Sequence, residues 1–227
     1  GLIANLRAGQ IVDQLLQVSL HARERGERVT NVVMMGMGEP LLNYDQVVRA
    51  LRLMRLQEGL GLGGRKITVS TAGYVPGIRK LVAEDLNVGL AISLNATTDE
   101  IREKLMPINR KYKIADLLEA ARNFFDRRGY RVTFEYVLMA GLTDLDEDAL
   151  RLAKLTRDTP CKINLIPYNE LEEDGLYRRP SRRRLDQFYR LLRDSGTEFT
   201  VRESRGRDID AACGQLYHQQ EKVRTAL

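Results

Sequence analysis

The sequence predicts an α/β fold in which a parallel sheet, open or closed into a barrel, carries helices on its outer side. Short runs rich in Val, Ile and Met alternate with longer stretches whose apolar residues recur at helical spacing. Gly, Pro and Asn gather where the strand-like runs stop. No internal repeat and no long linker divides the 227 residues, which suffice for one large domain with a substantial core. Repeated strand–helix units of this kind build parallel sheets.

The elements follow in order. Ile11 to Ala22 places Ile11, Leu15, Val18 and Ala22 on one helical face. Asn31 to Met35 reads as a buried strand that ends in Gly36-Met37-Gly38-Glu39-Pro40. Val47, Leu51 and Met54 form the next helical stripe, and Ile67 to Ser70 the next strand, stopping at Thr71-Ala72-Gly73. Pro76 suits the first turn of a helix bearing Ile78, Leu81 and Val82. Val88 to Leu94 is a strand ending at Asn95. Ile114, Leu117, Leu118, Ala121 and Phe124 again have helical spacing. Val132 to Met139 is predicted as strand, Asp146 to Arg157 as helix, and Lys162 to Ile166 as strand, closed by Pro167-Tyr168-Asn169. Leu185, Phe188 and Leu192 mark a last helix, and Phe199 to Val201 a last short strand.

Composition sets limits. Charged residues make up 30% and hydrophobic ones 43%, as expected of a water-soluble protein. No apolar run reaches the roughly eighteen residues that a membrane span requires, and no export signal opens the chain. The expected location is cytoplasmic, where the two cysteines stay as free thiols. A net charge of +5 and a pI near 9.3 lean toward polyanionic partners. His21 and His218 read as surface residues, and no metal site is predicted from side chains in this chain. Two loops stand out: the Gly-rich stretch Gly59 to Lys66, and the charged stretch Glu170 to Arg184 with Arg178, Arg179, Arg182, Arg183 and Arg184. The arginines read equally as a solvated face or as a phosphate-contacting edge.

The predicted strand ends carry the chemistry. In parallel α/β folds ligands bind beyond the C-terminal ends of the strands. Here those ends hold Gly36, Gly38 and Glu39, then Ser70, Asn95 and Asn169. Glycines let a ligand approach the backbone, and a carboxylate can hold an ammonium group. A hydroxyl and two amides suit ribose hydroxyls or a carboxylate. Each end taken singly also fits ordinary turn chemistry; four together favour a small-molecule site. Cys213 lies in the run Asp208-Ile209-Asp210-Ala211-Ala212-Cys213-Gly214-Gln215, among small residues on a polar, turn-prone stretch. Such a thiol is better placed for nucleophilic work than for packing. Cys161, directly before the strand Lys162 to Ile166, reads as structural. Glu135 either points into the barrel mouth or serves as a hydrogen-bonding structural group.

Several stretches match one family. Met35-Gly36-Met37-Gly38-Glu39-Pro40-Leu41-Leu42-Asn43 resembles the Gly-Glu-Pro motif of radical S-adenosylmethionine (SAM) enzymes. The form here is similar to that of the 23S rRNA and tRNA adenine-C2 methyltransferases. Further matches are Thr68-Val69-Ser70-Thr71-Ala72-Gly73, Leu90-Ala91-Ile92-Ser93-Leu94, Met106-Pro107-Ile108-Asn109, Cys161 to Asn169, and Asp208 to Leu216. The resemblance runs through nearly the whole chain. It implies a partial (β/α) barrel of the radical SAM type, here lacking its first strand and its cluster loop. It implies one catalytic domain over residues 1–227, N-terminally truncated, with residues 198–227 as an extension carrying Cys213.

By the same resemblance Gly38 and Glu39 contact the methionine amino end of SAM, while Ser70, Ser93, Leu94, Asn95 and Asn169 complete the cofactor site. Cys213 is the methyl carrier. One SAM methylates it, a second yields a radical that abstracts hydrogen from the S-methyl group, and the resulting carbon radical adds to C2 of adenine. That route suits an electron-poor aromatic carbon with no lone pair. The implied partners are 23S rRNA and tRNA as substrates, a four-iron, four-sulfur cluster, and an electron donor such as flavodoxin or ferredoxin. The chain is expected to act as a monomer.

Two departures qualify the likeness. The family's Cys-x3-Cys-x2-Cys cluster loop is absent, and the opening Gly1-Leu2-Ile3-Ala4-Asn5-Leu6 resembles sequence that follows it. Only two cysteines are present, too few for the cluster, so its ligands are expected upstream and the chain as supplied is expected to be inactive. Asn95 stands where many members have His. Two alternatives therefore accompany the adenine-C2 reading. One is the sister C8-adenine rRNA methyltransferase that confers antibiotic resistance. The other is a non-catalytic RNA-binding fragment.

Overall fold

The computed structural model describes residues 4–36, 38–170 and 175–202. In chain order the elements are α1 (Ala8–Glu24), β1 (Val32–Met34), α2 (Tyr44–Arg55), β2 (Ile67–Thr71), α3 (Val75–Ala83), β3 (Gly89–Ser93) and α4 (Asp99–Leu105). There follow α5 (Ile114–Arg128), β4 (Val132–Leu138), α6 (Asp146–Thr156), β5 (Cys161–Pro167), α7 (Arg182–Asp194) and β6 (Phe199–Val201). The chain forms two compact units: Gly1–Ser93 with Ile108–Val132, and Leu94–Pro107 with Thr133–Leu227. Strands lie in chain order, β1-β2-β3 in the first unit and β4-β5-β6 in the second. The predicted α/β class holds in both.

In the first unit β1, β2 and β3 are parallel, with Val32 opposite Ile67 and Val69 opposite Leu90. Strict alternation along β2 explains its placement. Ile67, Val69 and Thr71 are buried, while Thr68 and Ser70 on the other face are half-buried. The stripe Val47, Leu51 and Met54 of α2 is buried, as are Ile78 and Leu81 of α3 and Leu117 and Phe124 of α5. Burial of each such side chain is worth about 1.5–3 kcal/mol. Helix α5 stops where Gly129 takes a left-handed φ of 70° and donates to the Phe125 carbonyl.

One predicted face is only partly covered. Val18 is 60% exposed, and α1 buries just Ala8 and Leu15, because its main packing partner is the single helix α2. His21 is a surface residue, as expected, 3.7 Å from Glu24.

In the second unit Phe134, Tyr136 and Leu138 of β4 are buried, as are Ile163 and Leu165 of β5 and Phe188 and Leu192 of α7. Tyr136 stacks on Phe188 at 6.1 Å, and its hydroxyl donates to the Thr143 carbonyl at 3.0 Å. Helix α4 has no counterpart in the sequence reading. Thr98 caps it by accepting from the Ile101 amide, and Asp99 and Glu100 fall in its first turn, where acidic groups favour a helix start. Cys161 begins β5 rather than preceding it. Among the described residues no helix is long and apolar enough to cross a membrane.

A row of polar side chains crosses three strands of this unit. Asn164 Nδ2 donates to Glu135 Oε2 at 2.9 Å, and Thr200 Oγ1 donates to Asn164 Oδ1 at 3.1 Å. Asn164 and Thr200 are register partners on the parallel pair β5–β6. Glu135 is thus a hydrogen-bonded structural group. Burial raises its carboxyl above the ordinary value of 4.5, and the Asn164 amide and then Arg202 oppose that shift. A raised value in the fold means that ionisation costs more in the native than in the unfolded protein. The cost is absent below the ordinary value and grows as pH rises through the folded one. Replacing Glu135 by Gln keeps an acceptor for Asn164 and removes the buried charge. The expected result is a higher unfolding midpoint at neutral pH, with the gain vanishing below pH 4.5. Thermal denaturation of the natural full-length protein across pH measures this; a destabilisation that does not change with pH would contradict it.

Candidate cofactor-binding site

Beyond β1 the chain turns through Gly36 at φ 138° and Gly38 at φ 95°, conformations that side-chain-bearing residues rarely adopt. A Cβ built on Gly36 meets nothing within 4 Å, so this backbone borders open space. Glu39 follows and begins the 3-10 turn Pro40–Asn43. Its carboxylate is a clamp. Oε1 accepts from the Leu41 amide at 3.0 Å, and Oε2 accepts from the Ala72 amide at 2.7 Å. Gly77 of α3 allows the close approach that this requires: a Cβ there would sit 2.5 Å from Leu41 Cβ, in a core where Leu41 is buried.

The end of β2 is held from both sides. Thr71, buried, accepts from the Gly73 amide at 3.0 Å and from the Tyr74 amide at 3.2 Å, which starts α3. Ser70, the preceding residue, stands half-buried on the opposite face, and Ser93 ends β3 half-buried. Gly36, Gly38, Glu39, Ser70 and Ser93 therefore all occupy C-terminal strand ends of the first unit. A recess of about 370 Å³ lined by Asn43, Tyr44, Gln46, Tyr74 and Lys80 also lies in this unit and includes none of them.

In the second unit Leu94 and Asn95 form a tight turn. Both of their amides donate to the Glu135 carbonyl, at 3.0 and 3.2 Å. Asn95 has φ 58°, the one positive φ at a non-glycine among the described residues. Asn, Asp and His tolerate that region best. Asn95 Oδ1 accepts from the Val137 amide at 3.2 Å, and Nδ2 donates to Met106 Sδ at 3.4 Å. Just beyond, the Thr97 hydroxyl donates to Asp148 at 2.6 Å, and Arg151 donates to both, at 3.0 Å to Thr97 and 2.7 Å to Asp148. Asn169 lies half-buried after β5, where the Tyr168 amide donates to the Leu138 carbonyl at 2.9 Å.

The basic stretch resolves into separate roles. Arg184 Nε donates to the Asp144 carbonyl at 2.7 Å, and its Nη2 pairs with Asp146. That pair holds the Asp146 carboxyl below its ordinary value. Arg182 meets Asp186 one turn along α7. Arg184 is thus a structural tie rather than a free cation. Sequence reasoning did not anticipate the parts of Thr71, the Ala72 amide or Met106. Thr71 and Met106 do stand inside the quoted motifs, which was the available signal. Cys213 lies outside the described residues. Among those residues no three His, Cys, Asp or Glu side chains are grouped to hold a metal ion.

The chain is similar to known proteins over almost its entire length. It is 46% identical over 222 residues to a probable dual-specificity RNA methyltransferase RlmN of Symbiobacterium thermophilum, covering 98% of this chain and 60% of that protein. The RlmN of Bacillus cytotoxicus is 45% identical over 225 residues, 99% of this chain and 62% of the relative. The chain thus spans about three fifths of the length of these relatives. A radical SAM methyltransferase from Sphaerobacter thermophilus superposes with a TM-score of 0.91 at 47% identity, covering 95% of this chain and 63% of that one. The family model of the radical SAM superfamily matches residues 10–153, and the chain belongs to that superfamily.

Proposed function

We propose that this chain is the cofactor-binding core of a radical SAM RNA methyltransferase acting on C2 of adenosine in 23S rRNA and tRNA, with Cys213 as methyl carrier. The observation that carries the reading is the placement of Gly36, Gly38, Ser70, Ser93, Asn95 and Asn169 at strand ends, in a chain 46% identical to a protein named a probable dual-specificity RNA methyltransferase. The groups of each unit suit S-adenosylmethionine by their chemistry. The open backbone beside Gly36 offers a carbonyl to an ammonium, and the Ser and Asn side chains suit a carboxylate and ribose hydroxyls. Bound there, S-adenosylmethionine supplies both the methyl group and the radical chemistry. The chain's own residues position it.

Glu39 holds the turn that presents Gly36 and Gly38, and its oxygens retain lone pairs for a cationic group. Leu94 and Asn95 are fixed by the Glu135 carbonyl. Cys213 contributes a thiol whose task requires access to both cofactor and RNA. Two cysteines cannot provide the three thiolates of an iron–sulfur cluster loop, so no step is assigned to such a cluster within this chain.

The test uses the natural full-length protein. Its RNA is digested and the methylated nucleoside identified; 2-methyladenosine is expected, whereas 8-methyladenosine would move the assignment to the C8 activity. The peptide containing Cys213 should gain one methylene unit in mass. Cys213→Ala should abolish methyl transfer while S-adenosylmethionine binding persists. Loss of cofactor binding in that variant would remove Cys213 as carrier.

Glu39→Ala is expected to act twice. Loss of two amide–carboxylate bonds, each worth about 1.5–3 kcal/mol, lowers stability in urea denaturation. Cofactor affinity, measured by calorimetry, falls with it because the glycine turn loses its anchor. Unchanged affinity in a folded variant would take Glu39 out of the site.

A further inference from the structure

Helix α4 buries one side chain completely, and it is a charged one. Arg102 has no exposed surface, although α4 is otherwise a short, highly charged helix, Asp-Glu-Ile-Arg-Glu-Lys-Leu. Long cations are rarely buried to that degree without a specific partner. Arg102 Nε donates to the Leu94 carbonyl at 3.0 Å, and Asp99 on the preceding turn supplies a favourable charge. A charge-assisted bond to a backbone carbonyl is about twice as strong as a neutral one. Burial lowers the guanidinium pKa to about 10, which leaves it cationic at neutral pH.

The target of that bond is informative. Leu94 and Asn95 form the turn already held on one side by the Glu135 carbonyl and the Val137 amide. The α4 segment adds two more contacts: Arg102 donates to the Leu94 carbonyl, and Met106, the residue that caps the helix, accepts through Sδ from Asn95 Nδ2. Asn95 sits in the left-handed region, which costs about 1–2 kcal/mol for an L-residue, so the turn persists only where its surroundings over-determine it. Nothing in the proposed reaction otherwise accounts for a buried arginine at this position or for the methionine that begins the Met106-Pro107-Ile108-Asn109 stretch.

We infer that Arg102 is a positioning residue for the cofactor: with Met106 it locks the Leu94–Asn95 turn in the conformation that receives S-adenosylmethionine. The inference rests on the reading that residues 93–95 contact that cofactor. Arg102 itself touches the turn rather than the ligand. It acts by making the site rigid before binding, so that less ordering is required when the ligand arrives.

The experiment compares the natural full-length protein with Arg102→Met and Arg102→Lys. Two quantities are read: the Kd for S-adenosylmethionine by calorimetry, and the hydrogen exchange of the Leu94 and Asn95 amides without ligand. Arg102→Met removes the charged donor from the Leu94 carbonyl and leaves it the Ala96 amide alone, at 2.8 Å. It should weaken cofactor binding about 10- to 100-fold and speed exchange at both amides by a comparable factor. Arg102→Lys keeps a buried cation able to reach the carbonyl and should fall between wild type and Arg102→Met. It also supplies both readouts if the Met variant does not fold. Folded variants with a lowered melting temperature but unchanged Kd and unchanged exchange at Leu94 and Asn95 would overturn the proposal, leaving Arg102 as packing alone. A wild-type protein that binds no S-adenosylmethionine would instead overturn the reading beneath it, and the proposal with it.

Discussion

A single carboxylate ties two strand ends of the first unit together. Glu39 accepts from the Leu41 amide on its own side and from the Ala72 amide beyond β2. Parallel strands end in loops whose backbone donors need partners, and a carboxylate can serve two at once. Thr71 does the same over shorter range for Gly73 and Tyr74. With these four amides satisfied by side chains, the loops beyond β1 and β2 are held by neighbours, while Ser70 stays in the regular β2–β3 pairing opposite Ala91.

The second unit reaches the same end with different groups. Here backbone accepts from backbone: the Glu135 carbonyl takes the amides of both Leu94 and Asn95, while the Glu135 side chain looks along the sheet to Asn164 and Thr200. One residue thus links the turn after β3 to a polar row across β4, β5 and β6. The price is a buried carboxyl whose proton affinity is raised. Such a group is retained where its geometry matters more than its charge, and the double use of Glu135 gives that geometry a purpose.

All six strands were legible in the sequence, because each is a short apolar run punctuated by Gly, Pro or Asn, although β1, expected to be buried, leaves Val33 exposed and its neighbours half-buried. The larger helices were legible from their stripes. Helix α4 was not, since its seven residues hold only two apolar ones, Ile101 and Leu105, both half-buried, and its buried member is Arg102, the reverse of what periodicity looks for. Val18 failed for the opposite reason: periodicity identifies an apolar face but says nothing about whether a neighbour is there to cover it. The candidate site was legible as residue types at strand ends. What each does was less so. Glu39 looked like a ligand-binding charge, yet its nearest partners are two amides that no local pattern connects, because Ala72 lies 33 residues away.

Asn95 shows how a substitution can be read through backbone conformation. The family resemblance puts His at this position in many members, an exchange that costs little where a cofactor contact is made by the backbone. The structure supplies two further conditions. The residue must tolerate a φ of 58°, and it must present an acceptor to the Val137 amide. Asn and His are among the few residues enriched in the left-handed region, and each has a side-chain atom able to accept a hydrogen bond. Glycine would meet the first condition and fail the second; Ser or Thr would fail the first. The permitted set at this position is therefore narrow without any demand from chemistry. The side chain faces Val137 and Met106, and the backbone of the turn is tied to the Glu135 carbonyl, the Ala96 amide and Arg102.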